Sequence, residues 1–256
     1  GEYELLTGNQ TGMLLLDYIC SQRIKHGKMP ADPVMVKTIV TMDMGEQIAT
    51  HYGLRTINVL TGFKFIGEQI KLFEQTGSNN YVFGLEESYG CLAGTHARDK
   101  DAIVATMALC EAAAYYKTKN MNLVDVMESL YEEFGFYANV VESYTFEGAS
   151  GMEKMASIMD GLRTSAPSKI AGYDVVSVSD YDASKTVFAN GRADEKIELP
   201  KSNVLAYGLT DGNKLIVRPS GTEPKIKAYI TAVGKSREEA DSIAAKLIDD
   251  ANEFMK

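Results

Sequence analysis

The sequence predicts two bodies of unlike architecture: an open α/β layered domain, followed by a smaller α+β domain with a mostly antiparallel sheet and a C-terminal helix. Three observations carry this. Strand-length apolar runs alternate with helical stretches through the first half, a Gly/Ser/Pro-containing segment lies near the middle, and short strand-like runs joined by tight turns then lead to one long helix. Strands separated by helices favour helices on both faces of a sheet, whereas turn-linked strands favour hairpins. The expected division is residues 1–150, a connector over 151–168 and residues 169–256.

Each element has its own signal. Tyr3 to Leu6 is strand-like, and Asn9 or Thr11 caps a helix carrying Met13, Leu14, Leu16, Tyr18 and Ile19. Val34 to Met42, rich in β-branched residues between Pro33 and Gly45, is a buried strand, and Glu46 to Tyr52 a short helix ended by Gly53. A strand over Thr56 to Leu60, a helix over Ile66 to Gln75 and a strand over Tyr81 to Gly84 come next. The longest helix of this half opens near Asp99 or Asp101 with Ile103, Val104, Met107, Ala108 and Cys110 to Ala114 as its apolar part, and another runs from Leu123 to Phe134. Met152 to Leu162 is helical within the connector, and the Gly/Ser-containing stretches around residues 148–151 and 164–168 permit a hinge. Strands at Asp174 to Val178, Val204 to Leu209, Lys214 to Val217 and Ile226 to Ala232 make the second sheet, with Asp211-Gly212-Asn213 as a turn. Ser236 and Glu239 form an S-x-x-E capping box for the last helix, apolar at Ala240, Ile243, Ala244, Leu247, Ile248 and Ala251.

At about 150 residues per domain, 256 residues suit one to two domains without a disulfide or metal staple. With 26 basic against 35 acidic residues, the net charge of -9 excludes bulk attraction to nucleic acid or an anionic membrane, and a local basic pocket is all that an anion would find. No run approaches the roughly 20 apolar residues that span a bilayer, Met13 to Leu16 being broken at Asp17. Cys20, Cys91 and Cys110 have neither CxxC nor zinc-finger spacing and read as reduced thiols of a cytoplasmic protein. His26, His51 and His96 lack metal spacing, so no metal site is expected.

Two loops concentrate chemistry. Arg218-Pro-Ser-Gly-Thr-Glu-Pro-Lys225 places a guanidinium, an ammonium, two hydroxyls and the Gly221 N–H within eight residues, which is either a phosphate cradle or a proline-stiffened hairpin turn. Leu85-Glu-Glu-Ser-Tyr-Gly90 comes directly after a strand of the first domain, where open α/β sheets bind ligands; its carboxylates either take sugar hydroxyls or are simply solvated. Thr61-Gly62-Phe63-Lys64 lies after the preceding strand. Lys100 opposes the dipole at its helix start and either points into water or faces an anion as a proton-transfer group.

Together, Phe83-Gly-Leu-Glu-Glu-Ser-Tyr-Gly90 and Arg218-Pro-Ser-Gly-Thr-Glu-Pro-Lys225 resemble the α-D-phosphohexomutase family on its bacterial phosphoglucomutase side, specifically the third and fourth of that family's four domains. The resemblance implies that Glu86 and Ser88 hold sugar hydroxyls, that Thr61 and Gly62 form a ligand-reaching turn, and that Arg218, Ser220, Gly221, Thr222 and Lys225 bind the phosphate that is not transferred. It also implies that Lys37 lies near the reacting centre and that Lys100 assists proton transfer. The family's phosphate-carrying serine loop and Asp-rich magnesium loop are not in this sequence, and the opening Gly-Glu-Tyr-Glu-Leu-Leu resembles the family's segment just C-terminal to that magnesium loop. The expectation is therefore the recognition half of a phosphohexomutase, inactive alone. Its ligands would be hexose phosphates, its partners the missing N-terminal domains, and Mg2+ and glucose 1,6-bisphosphate would serve the longer enzyme. Tyr89, where many relatives pass from Ser to Gly, bears on sugar preference. The competing expectation is a non-catalytic sugar-phosphate-binding or regulatory module.

Overall fold

The computed structural model describes residues 3–148 and 150–256; Gly1, Glu2 and, within the expected hinge, Ala149 lie outside the described residues. The chain forms two compact units, Gly1–Gly135 and Phe136–Lys256.

The first unit contains α1 (Gly8–Lys25), β1 (Pro33–Thr38), α2 (Met44–His51), β2 (Arg55–Val59), α3 (Phe63–Thr76), β3 (Asn80–Leu85), β4 (Cys91–Ala93), α4 (Ala102–Lys117) and α5 (Leu123–Phe134). Its sheet runs β2-β1-β3-β4, with β1 parallel to both β2 and β3 and β4 antiparallel at the edge. Side chains alternate across a strand, so Val34 and Val36 of β1 join Phe63, Ile66, Ile70 and Phe73 of α3. Met35 lies on the opposite face, where Gly45 of α2 leaves room for it and for Met13 of α1; a Cβ there would sit 3.2 Å from Met13 and 3.5 Å from Met35. Helices thus cover both faces.

The start of the chain departs from expectation. Tyr3 and Leu5 are exposed, and residues 3–6 pair with no strand among the described residues. The cap of α1 is Thr7, in a capping box with Gln10: each side chain takes the other's backbone N–H. Asn9 is instead buried and accepts the Met42 N–H at 3.0 Å. β1 stops at Thr38, earlier than expected, because the chain turns there; the Thr41 N–H donates to the Thr38 carbonyl and the two hydroxyls bond at 2.8 Å.

Buried Asp17 ties three helices together, accepting from Tyr52 Oη at 2.6 Å and Tyr116 Oη at 2.9 Å. Burial, reinforced by this carboxylate, pushes both phenol pKa values up. The apolar part of α4 is less covered than its composition suggests. Ile103 and Met107 are 83% and 64% exposed, and the buried residues of the helix are Ala112 and Tyr116.

The second unit contains β5 (Phe136–Thr145), α6 (Gly151–Thr164), β6 (Lys169–Ile170), β7 (Tyr173–Asp180), β8 (Lys185–Phe188), β9 (Glu195–Lys196), β10 (Leu205–Leu209), β11 (Lys214–Pro219), β12 (Lys225–Gly234) and α7 (Arg237–Phe254). Its sheet runs β5-β12-β11-β10-β7-β8-β9, antiparallel at each step, with β6 beside β7. Met155, Met159 and Leu162 of α6 share a core with Tyr207, Leu215, Val217, Ile230, Ile243 and Leu247. The two compact units divide between Gly135 and Phe136, whereas the sequence places the division at residue 150 with a connector over 151–168. The physical reason is twofold: β5 pairs with β12 from Phe136↔Gly234 to Thr145↔Lys225, and α6 buries one face in the second core.

The turn between β10 and β11 has positive φ at Asp211 and Gly212, 60° and 78°. At α7, Ser236 Oγ accepts the Glu239 N–H at 3.2 Å, while the Glu239 carboxylate takes the Lys235 N–H at 2.6 Å, one residue ahead of the reciprocal box. No described helix is long and apolar enough to cross a membrane.

Candidate functional site

The loop after β3 is the turn of the β3-β4 hairpin. Leu85 pairs with Cys91, and the Glu86 N–H donates to the Gly90 carbonyl at 2.7 Å. Glu86 is half-buried, and its Oε1 accepts the Gly62 N–H at 3.0 Å. Gly62 precedes α3 with φ at 118°, a backbone only glycine adopts readily, and so presents that N–H. This contact brings the Thr61-Gly62 turn against the acidic loop. Burial pushes the Glu86 carboxyl above its ordinary range, partly opposed by the Gly62 N–H and by the charge of Lys100. Ser88 is exposed and its hydroxyl donates to Glu87 Oε1 at 3.1 Å.

Lys100 joins the same cluster. Its ammonium meets Asp99 Oδ1 at 3.2 Å and lies 5.8 Å from the Phe63 ring centroid, while its Cδ would be 3.0 Å from a Cβ on Gly90. The amine is half-exposed, with Glu86 among the charges that sense it. Asp101, not Asp99, caps α4 through the Ile103 and Val104 N–H groups, and its other oxygen meets His96.

Lys37 is different. At the end of β1 it is 1% exposed, and its Nζ reaches the Thr41 carbonyl at 3.1 Å, Asp43 Oδ1 at 2.8 Å and Glu46 Oε1 at 3.2 Å. Three acceptors match its three donors, so this ammonium is held by the turn after β1 and the start of α2. Nothing in the sequence marked Asp43 and Glu46 as its partners, since their spacing from Lys37 is that of a strand turning into a helix.

In the second unit the basic loop closes the β11-β12 hairpin, in which Pro219 pairs with Ile226 and the Ser220 N–H donates to the Lys225 carbonyl at 2.7 Å. Ser220 Oγ accepts the N–H groups of Thr222 at 3.3 Å and Glu223 at 3.2 Å. Its own hydroxyl proton is not used in these two bonds. Arg218 is half-buried, and neither its guanidinium nor the Gly221 N–H meets a partner among the described residues. Gly221 faces open space, with no atom within 4 Å of a Cβ placed there. Lys225 is only loosely engaged, 3.6 Å from Glu223. The hairpin so gathers hydrogen-bond donors and cationic groups at one turn, a chemistry suited to a phosphate.

Among the described residues no three His, Cys, Asp or Glu side chains converge as a metal site. Cys20 and Cys91 are buried, which pushes their thiols up to about 12 and about 11, and Cys110 is exposed.

Comparison with known proteins matches two successive stretches of the chain and leaves residues 135–168 in neither. Residues 7–134 match the model of the phosphoglucomutase/phosphomannomutase α/β/α domain III, and residues 169–250 that of the C-terminal domain of the same family. Phosphoglucomutase of Staphylococcus epidermidis is 34% identical over 249 residues, 97% of this chain and 44% of that protein. Phosphoglucomutase of Staphylococcus aureus strain MRSA252 is 35% identical over 231 residues, 90% and 41% of the two. The chain thus spans less than half the length of these curated relatives. In fold it is similar to the open form of the Paramecium phosphoglucomutase parafusin, with a TM-score of 0.69 at 20% identity over 98% of this chain and 41% of that one. A putative phosphomannomutase from Thermus thermophilus gives 0.58 at 15% identity, covering 94% and 40%.

Proposed function

Because this chain belongs to the phosphoglucomutase/phosphomannomutase family, we propose that it supplies the sugar- and phosphate-recognition part of a protein that interconverts glucose 1-phosphate and glucose 6-phosphate. The observation that carries the reading is the Arg218 hairpin, whose guanidinium and Gly221 N–H have no partner among the described residues, beside a Ser220 whose hydroxyl proton is not used in its two bonds. Arg218 grips two phosphate oxygens, Ser220 and Thr222 donate hydroxyls, the Gly221 N–H completes the cradle, and Lys225 neutralises charge at the rim.

The sugar is held by Glu86 and Ser88, with Thr61 and Gly62 at its edge. Interconversion exchanges the two ends of the hexose, so one loop must accept the ring in two poses. A carboxylate and a hydroxyl suit this, because equatorial hydroxyls at positions 3 and 4 change places when the ring turns over. Lys100, beside Glu86, is the group placed to move a proton at the reacting oxygen. Lys37, spent on its own acceptors, acts through the end of β1. By the resemblance, the phosphate-carrying serine and the magnesium site would lie in a part of the longer enzyme outside this sequence, and glucose 1,6-bisphosphate would form there. Such transfer depends on positioning and charge stabilisation, so recognition alone gives no turnover.

Two measurements test this. In a coupled assay with glucose 1-phosphate, glucose 1,6-bisphosphate and magnesium, the chain alone is expected to stay at background; clear turnover refutes the division of labour. Arg218→Ala should weaken calorimetric binding of both glucose 6-phosphate and inorganic phosphate about tenfold or more and flatten its salt dependence. Unchanged affinity removes the phosphate role.

A further inference from the structure

The tip of the acidic loop is built against the entrance of α1. The backbone of Tyr89 has φ at 64°, a left-handed conformation that a tyrosine rarely adopts. Its side chain, 59% exposed, reaches back so that the hydroxyl donates to the Leu6 carbonyl at 2.9 Å. Two residues on, Gly8 opens α1, and a Cβ there would stand 2.2 Å from the Glu87 carbonyl oxygen and 2.4 Å from the Tyr89 nitrogen. Those are backbone atoms, which cannot swing aside as a side chain would. The short segment Leu6 to Gly8 therefore touches the loop twice, once through the Tyr89 hydroxyl and once through its main chain. The Thr7-Gln10 box fixes the same segment to the helix.

We propose that Tyr89 and Gly8 are positioning residues for sugar recognition, holding the loop so that Glu86 and Ser88 are presented together, without touching the ligand themselves. The proposal rests on reading Glu86 and Ser88 as sugar ligands. Strain at a non-glycine residue persists only where the surroundings over-determine it, and here the determinants are the Leu6 carbonyl and the glycine clearance. A loop pressed from behind by a methyl group would move its carboxylate relative to Gly62, and sub-ångström placement governs how well directed hydrogen bonds are made.

The test is calorimetry on the whole chain with two probes, glucose 6-phosphate and inorganic phosphate, for wild type, Gly8→Ala and Tyr89→Phe. The ratio of the two affinities isolates the sugar increment. Gly8→Ala is expected to lower glucose 6-phosphate affinity about tenfold, and Tyr89→Phe, which loses one hydrogen bond, about threefold. Both should leave inorganic phosphate affinity within about twofold, because the Arg218 hairpin is untouched. Should Gly8→Ala fail to fold, Tyr89→Phe keeps the backbone and decides the matter. A sugar increment that survives intact in Tyr89→Phe overturns the proposal alone, as does a parallel loss of both affinities. A wild type without any sugar increment overturns the reading of Glu86 and Ser88 and the proposal with it.

Discussion

In the proposed sugar role, Glu86 meets two opposed demands. Its carboxylate is half-buried, which raises its pKa, yet hydrogen bonding to sugar hydroxyls calls for the ionised form. Because the folded-state pKa lies above the unfolded one, this group favours folding fully below the unfolded value, and that contribution is lost as pH rises through the folded value. At neutral pH its charge is therefore a cost to stability. Glu86→Gln keeps an acceptor for the Gly62 N–H and removes the charge. It should raise the melting temperature at pH 7 by about 2 °C or less, while weakening glucose 6-phosphate binding. Wild-type affinity should fall on acidification from a pH above the ordinary carboxylate range, and the variant should lack that limb. Identical acid limbs in the two proteins would remove Glu86 from the titration.

Elements differ in how plainly the sequence announces them. The helix expected over Leu123 to Phe134 is α5, because Gly135 ends it and its apolar spacing is regular. The strands β10, β11 and β12 are legible because apolar residues and the Asp-Gly turn bound them. β5 escaped because Phe136 to Thr145 lacks strict alternation; its residues are mostly half-buried, as suits an edge strand. β4, β8 and β9 are too short to carry a pattern. Helical periodicity over Met152 to Leu162 was visible, but not its ownership, since an amphipathic face does not reveal which core it enters. At the site, the residue types of both loops were readable. The clearance at Gly8 and the acceptors of Lys37 were not, because they depend on segments brought together only by folding.

At the scale of the whole molecule, composition sets the terms: a net charge of -9 offers anions no bulk attraction, and two unlike cores divide the chain. The manner of their joining has a practical result. The residue that ends α5, Gly135, is succeeded at once by the first residue of β5, which is paired with Gly234. A protease needs several residues of yielding backbone, and here each residue after Gly135 up to Thr145 is locked in a ladder. Residues 190–203, by contrast, are mostly exposed and hold only the two-residue β9. Brief digestion with proteinase K should therefore nick the chain within 190–203 and leave the joint whole, and mass spectrometry of the products would show it. Early fragments ending near residue 135 would mean that the ladder opens readily. Cutting the protein into its two units thus calls for redesign at the gene, with β5 kept on the C-terminal piece, because digestion offers no seam there.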